Sequence, residues 1–121
     1  MIELTKHIEI LLLDNDCVIV PGLGGFIAHH QPSRYEEDEG VFLPPTRTVG
    51  FNPQLTMNDG LLTQAYMQTY HTDFPDASRK IAQKVQELKE MLYSEGVVEM
   101  PGIGSLHYTL YNTYEIGRAH V

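Results

Sequence analysis

Two glycine-rich phrases are the first candidates for chemistry in this sequence of 121 residues: VPGLGGF at 20–26 and MPGIGSL at 100–106. A dinucleotide-binding loop needs a third glycine where Ile27 and His107 stand, and a P-loop needs a lysine followed by serine or threonine, which neither phrase has. Both kinds of phosphate loop also open a helix, whereas strand-like residues follow here. We therefore expect two tight turns between strands. The predicted turn residues are Pro21, Gly22, Gly24, Pro101, Gly102 and Gly104.

Three other groups of reactive residue types are better explained without a site. His29 and His30 are adjacent on a predicted strand, so they point to opposite faces, and no spaced histidine or cysteine completes a ligand set. The four acids at 36–39 lack the spacing of a calcium loop and favour a solvated loop tip. Cys17, the single cysteine, is most simply a small buried strand residue. The sequence predicts no enzyme, no metal site and no cofactor.

Composition and charge narrow the function classes further. With 42% hydrophobic and 20% charged residues, the chain is typical of a globular protein with one modest core or two very small ones. No apolar run approaches the roughly 20 residues that span a bilayer, and no secretory signal opens the chain, so we expect an intracellular protein without a membrane segment. Sixteen acidic residues against eight basic ones give a net charge of −8, which disfavours nucleic-acid binding.

An internal repeat organises the chain. After a shift of 80 positions, Ile8–His30 lies on Leu88–Leu110 without a gap. The identical positions in the first copy are Leu12, Val18, Pro21, Gly22 and Gly24. Each copy has the pattern of a helix, a strand, a tight turn and a second strand. We expect a first lobe at 1–56 and a second lobe at 57–114.

The segments around the repeat have their own signals. Residues 31–51 form an extended excursion with a charged tip and prolines, which we interpret as a protruding β-arm and call the arm. A helix is predicted over 57–70 with Asn58 as its cap. A longer helix is predicted to start at the cap Asp73 and to end just before Gly96.

The order helix, helix, strand, Pro-Gly-x-Gly turn, strand resembles the bacterial histone-like HU proteins, the IHF-like DNA-binding fold. More closely, the chain resembles the tandem CCDC-like prokaryotic HU domains at the amino terminus of SPOR-domain cell-envelope proteins of Bacteroides relatives. The resemblance covers 1–114 and implies an α+β fold in which helices pack on short antiparallel β-hairpins. It implies two HU-like lobes, the first with a β-arm and the second truncated before its own arm and last strand. The last seven residues, 115–121, resemble a reading frame of a sequencing adaptor, so we expect a non-native tail there.

The resemblance also implies a function class. It implies a non-catalytic scaffold at the cytoplasmic, amino-terminal end of an envelope or division-associated protein whose later SPOR domain binds peptidoglycan. HU subunits form obligate dimers, so two fused lobes are expected to pack on each other as a pseudo-dimer or to bind a protein partner. Tyr108, Tyr111 and Tyr114 either face such a partner or are half-buried sheet residues.

DNA binding is the alternative that the resemblance raises. HU proteins hold DNA with basic arms and wedge an arm-tip proline between base steps. The arm here carries Arg34 and Arg47, the candidate nucleic-acid contacts, but also the four acids at 36–39. The Phe-Lys-Pro of HU is FNP, with Asn52 in place of the lysine. Three basic against eight acidic residues give the first lobe a charge of −5, and four against seven give the second −3, so charge disfavours this alternative.

Overall fold

The computed structural model describes residues 2–111 and 113–117, apart from the side chain of Ile2. The α-helices in this part of the chain are α1 (Ile2–Asp14), α2 (Leu61–Tyr70) and α3 (Phe74–Glu95). The first antiparallel sheet has the order β1 (Cys17–Val20), β2 (Gly24–Gln31) and β5 (Thr46–Asn52). The arm contains a separate pair, β3 (Arg34–Glu36) and β4 (Val41–Leu43). The last sheet has the order β6 (Val97–Met100), β7 (Gly104–Tyr108) and β8 (Tyr114–Gly117). The predicted α+β class is confirmed.

Helix α3 begins and ends at the residues that the sequence predicts. The side chain of Asp73 accepts a hydrogen bond from the amide of Asp76 at 3.0 Å, which satisfies one of the free amides of the first turn. At the other end Gly96 has a φ of +80°, and its amide donates to the carbonyl of Leu92 at 2.9 Å. Both predicted boundaries are confirmed.

Helix α2 starts later than predicted, and Asn58 is not its cap. The Asn58 side chain accepts from the amide of Gly60 at 2.9 Å, and Asp59 accepts from the amide of Leu61 at 3.1 Å. These bonds form two local turns outside the helix. Gly60 itself has a φ of +79°, which is incompatible with a right-handed helix, so the helix begins at Leu61.

The two hairpins share one register. Pairing of β1 with β2 and of β6 with β7 is identical after the shift of 80 positions. In the first turn Pro21 and Gly22 are the central residues, and the amide of Leu23 donates to the carbonyl of Val20 at 3.0 Å. Gly22 has a φ of +83° and its counterpart Gly102 one of +79°. Proline first and a left-handed glycine second are the features of a type II turn.

The next glycine of the first turn allows two strands to meet closely. Gly24 has a φ of +153°, and a Cβ there would lie 2.5 Å from Cζ of Phe51, 2.8 Å from the carbonyl oxygen of Asn52 and 2.9 Å from Cα of Pro53. No side chain fits in these gaps. The absence of a Cβ therefore lets the end of β5 pack directly on the start of β2.

One hydrophobic core serves both lobes. Helices α1 and α3 each present one apolar face to it, and buried residues of every sheet except the arm pair join the same cluster. The buried face of α3 repeats that of α1. Its buried residues Val85, Leu88 and Leu92 lie 80 positions after the buried residues Thr5, Ile8 and Leu12. The largest fully buried side chains include Tyr66, Phe26, Leu4, Ile81, Met100 and Leu106.

Each hairpin turn lies against the helix of the other lobe. A Cβ on Gly22 would be 3.8 Å from Val85 of α3, and a Cβ on Gly102 would overlap the carboxylate of Glu9 on α1. Helices α1 and α2 are also tied together, because Nε2 of His7 hydrogen-bonds the hydroxyl of Thr69 at 3.0 Å. The packing is therefore reciprocal between the lobes.

The second lobe has a last strand, which the sequence analysis did not predict. Strand β8 pairs with β7, and its apolar Ile116 faces Leu106. In place of an arm, a backbone hydrogen bond from the amide of Thr109 to the carbonyl of Thr113 lies between β7 and β8. Most of β8 belongs to the segment expected to be non-native, and residues 118–121 of that segment lie outside the described residues.

The two glycines of the first turn should differ sharply in their tolerance of a side chain. We expect Gly22→Ala to lower the free energy of unfolding by about 1–2 kcal/mol, the cost of a left-handed alanine whose Cβ meets only Val85, at an ordinary van der Waals distance of 3.8 Å. Gly24→Ala should cost about 3–4 kcal/mol, because backbone strain and overpacking against β5 add. Urea denaturation followed by circular dichroism measures both. Equal losses would contradict the close-contact role of Gly24.

Candidate interaction surface at the arm

The arm is a hairpin set apart from the core sheet by prolines. Pro32 follows the end of β2, and Pro44 and Pro45 separate β4 from β5. Proline has no amide hydrogen to donate, so the ladder of the core sheet does not continue into the arm pair. All three prolines lie at the base of the hairpin, whereas the wedge proline of HU lies at the arm tip.

The tip of the arm is acidic. The amide of Gly40 donates to the carbonyl of Glu36 at 2.8 Å, and Gly40 has a φ of +67°. This turn places Glu37, Asp38 and Glu39 at the exposed end of the hairpin. The described residues form no ion pair with these carboxylates, so their negative charge is presented to solvent.

One face of the hairpin carries an exposed aromatic couple, Tyr35 and Phe42. The two residues are opposite each other in the register of β3 and β4, and their ring centroids are 4.9 Å apart with an angle of 54° between the ring planes. Tyr35 is 52% exposed and Phe42 is 78% exposed. Large aromatic side chains at such exposure commonly mark interaction surfaces.

A signal for this couple is visible in the sequence. The tripeptides RYE and VFL flank the acidic turn, and each has one aromatic residue in its centre. Alternation along a strand puts these central residues on the face opposite to Arg34 and Glu36. Their pairing depends on the length of the turn, which only the register establishes.

The two predicted nucleic-acid contacts lie in different sheets. Arg34 is exposed on β3 opposite Leu43, and it shares its strand face with Glu36. Arg47 is half-buried on β5 opposite His30. Its Nη1 is buried and has no hydrogen-bond partner among the described residues. The two arginines therefore lie on strands that do not pair with each other.

The predicted turn residues lie at the two hairpin turns described above. Each turn is closed by an amide that donates to the carbonyl of the residue before the proline, from Leu23 in the first copy and from Ile103 in the second, at 3.0 Å in both. Those amides are consequently not directed at a ligand. Strands β2 and β7 follow the turns, so neither turn opens a helix as a phosphate-binding loop does.

The residues considered for metal or redox chemistry are dispersed. His29 and His30 are both exposed on β2 and point to opposite faces. Across residues 2–111 and 113–117, no three histidine, cysteine, aspartate or glutamate side chains are grouped closely enough to hold a metal ion. Burial raises the pKa of the Cys17 thiol, and the negative charge of Asp59 raises it further, which lowers the thiolate fraction at neutral pH.

Of the three predicted tyrosines in the second lobe, two pack against the core and one is exposed. Tyr108 and Tyr114 pack against the core, and the ring of Tyr108 lies 4.9 Å from that of Tyr93 in an edge-to-face arrangement. The hydroxyls of Tyr93 and Tyr114 hydrogen-bond at 2.9 Å. Burial, followed by this hydrogen bond, raises the pKa of Tyr114. Only Tyr111, at 88% exposure, stands free of the sheet among the three predicted tyrosines.

Comparison with known protein families identifies both halves of the chain. Residues 1–59 match the family model described as CCDC81-like prokaryotic HU domain 1, and residues 60–115 match the model described as CCDC81-like prokaryotic HU domain 2. Comparison with curated proteins and with solved structures gave no significant match. Within the described residues, the helices are too short or too polar to cross a membrane. HU-like families are non-catalytic binding domains. Because the two models follow one another over 1–115, the chain belongs to the family of tandem CCDC81-like prokaryotic HU domains.

Proposed function

We propose that the chain is a non-catalytic protein-binding scaffold whose arm contacts a protein partner. The observation that carries this proposal is the exposed couple of Tyr35 and Phe42 beside an acidic tip. Aromatic residues are enriched at protein interfaces, and they supply much of the binding energy there. An exposed aromatic pair on a hairpin that adds nothing to the core is best explained by a partner that covers it.

The charge of the arm supports a protein partner over DNA. Two arginines stand against four acids between residues 31 and 51. Binding to duplex DNA draws its non-specific affinity from basic side chains that displace counterions from phosphates. Acids at the tip of the hairpin repel those phosphates, and their field favours a partner with a basic surface instead.

The reciprocal packing supports a second part of the proposal, that the two lobes replace the HU dimer within one chain. The boundaries proposed for the lobes are 1–56 and 57–114. Leu23 and Ile103, the last residues of the two turns, are 3% and 4% exposed, because each is covered in the shared core. A lobe of fewer than 60 residues buries too little surface to be stable without such a partner.

The cellular setting is proposed from the resemblance alone. We propose that the chain is the cytoplasmic, amino-terminal part of a SPOR-domain envelope or division-associated protein. In such a protein peptidoglycan would be bound by the SPOR domain, and the tandem module would bind a cytoplasmic partner. Sequencing of the gene beyond the codon for Tyr114 tests this setting directly.

One observation favours DNA as the alternative ligand. Nη1 of Arg47 is buried without a hydrogen-bond partner among the described residues, and an anion beside β5 would satisfy it. In this alternative Arg34 and Arg47 contact phosphates.

Duplex DNA should bind the module only weakly. We expect fluorescence anisotropy with a 20-base-pair duplex at 50 mM salt to give a dissociation constant weaker than about 100 µM, at the weak end of non-specific binding. Neutralising the tip with Glu36→Gln, Glu37→Gln, Asp38→Asn and Glu39→Gln should strengthen that binding, because phosphate repulsion is removed. Micromolar binding that falls steeply with salt and is lost in the double variant Arg34→Ala and Arg47→Ala would favour the DNA alternative.

The module should be monomeric in solution. Because the lobes cover each other's apolar surface, light scattering is expected to give a mass close to 13.7 kDa, with a thermal midpoint that does not depend on protein concentration. Leu23→Asp serves as a control, since a charge at this buried last residue of the turn should open the shared core and cause unfolding or association. A tight dimer of the unsubstituted chain would contradict pseudo-dimeric packing.

A further inference from the structure

The aromatic couple on the arm reaches the acidic tip. A Cβ on Gly40 would lie 3.9 Å from the hydroxyl of Tyr35. Gly40 directly follows the exposed acids Glu37, Asp38 and Glu39, and its amide closes their turn. The polar end of the Tyr35 ring therefore lies beside that turn, so the aromatic surface and the carboxylates adjoin.

No cation of the chain covers the couple. Arg34 precedes Tyr35 on β3, so alternation along the strand puts it on the opposite face of the hairpin. Within the described part of the chain, the cation–π contact lies elsewhere, where Nζ of Lys80 is 5.1 Å from the ring centroid of Tyr70. Both rings of the couple are exposed and accessible to a cation from another molecule.

A guanidinium group is complementary to both halves of this surface. The negative face of an aromatic ring attracts a cation, and arginine makes this contact more often than lysine does. Because the guanidinium is planar, it stacks on a ring while its N–H groups donate to a carboxylate. An ammonium group is a compact, strongly hydrated charge that stacks less well. An apolar group would cover the rings but would leave the carboxylates unpaired.

We propose that the couple and the acidic tip form a docking site for an arginine-containing segment of a protein partner. The guanidinium of an arginine stacks on the rings of Tyr35 and Phe42 and pairs with a carboxylate of the tip. The net charge of −8 adds a long-range attraction for such a segment. This inference rests on the function proposed above and adds the chemistry that the partner presents to the arm.

Titration of the ¹⁵N-labelled chain with capped peptides of the form Ala-X-Ala-X-Ala tests the inference, where X is arginine, lysine, citrulline or leucine. We expect the arginine peptide to cause saturable shifts of the amide signals of Tyr35, Gly40 and Phe42. It should bind about threefold tighter than the lysine peptide, the effect of stacking on one exposed ring. Citrulline keeps the planar shape without the charge, so its peptide should bind at least about fivefold more weakly than the arginine peptide. A rise in salt from about 50 mM to about 200 mM should reduce this difference, because salt screens the carboxylates.

Matched substitutions separate stacking from charge. Phe42→Leu keeps an apolar side chain but removes one ring, so the arginine peptide should bind about threefold more weakly and lose its advantage over the lysine peptide. Val41→Leu, the control at the preceding residue on the opposite face, should leave both affinities unchanged. The triple variant Glu37→Gln, Asp38→Asn and Glu39→Gln should weaken binding of the arginine peptide and leave that of the citrulline peptide unchanged. Unchanged amide signals outside the arm show that each variant is folded.

The inference is overturned if the arginine peptide binds no tighter than the lysine or the citrulline peptide. Equal losses in Phe42→Leu and Val41→Leu would overturn it as well, and so would the absence of shifts with every peptide. Tighter binding of the leucine peptide at the same amides would overturn it while keeping the arm as a protein-binding surface. Micromolar binding of DNA through Arg34 and Arg47, measured as above, would instead contradict the proposed function itself.

Discussion

Burial of Leu23 and Ile103, the last residues of the two turns, is the constraint on which the rest of the molecule depends. Leu23 and Ile103 lie in the core that the lobes share, and a turn can reach the helix of the other lobe only if its backbone is compact. Left-handed glycines at 22 and 102 provide that compactness, and the missing side chain of Gly24 lets β5 close over the first sheet. The repeated glycine phrase is thus explained by packing between lobes and not by phosphate binding.

The proposed binding surface and the residues that stabilise the fold lie in different parts of this chain. None of the residues from His29 to Thr48 is fully buried, so the hairpin of β3 and β4 contributes little to the hydrophobic stabilisation of the fold. The two sheets that cover the core, by contrast, expose few large apolar side chains. An HU-like module of this kind keeps the inherited architecture while its arm carries acids and aromatic residues in place of a basic surface.

The parts of the fold that depend on local chemistry were predictable. Asp73 and Gly96 mark the ends of α3 because a cap and a left-handed glycine act through neighbouring amides and carbonyls. Asn58 failed as a cap because Asn58 and Asp59 form local turns that end in the left-handed Gly60, and Asp59 also accepts from the amide of Ile19 on β1. The aromatic couple was partly predictable. The alternation of side chains along each strand is visible in the sequence, whereas the register between the two strands is not.

The prolines at the base of the arm have a consequence for how the molecule changes over time. Since they interrupt the hydrogen-bond ladder between the arm and the first sheet, the hairpin from Ser33 to Leu43 is joined to the core by two short segments only. We expect mutations in that hairpin to leave the pairing of β1, β2 and β5 intact. Under the proposed function, partner choice can therefore diverge without a loss of foldability, and the same junction is a natural point for grafting another recognition hairpin.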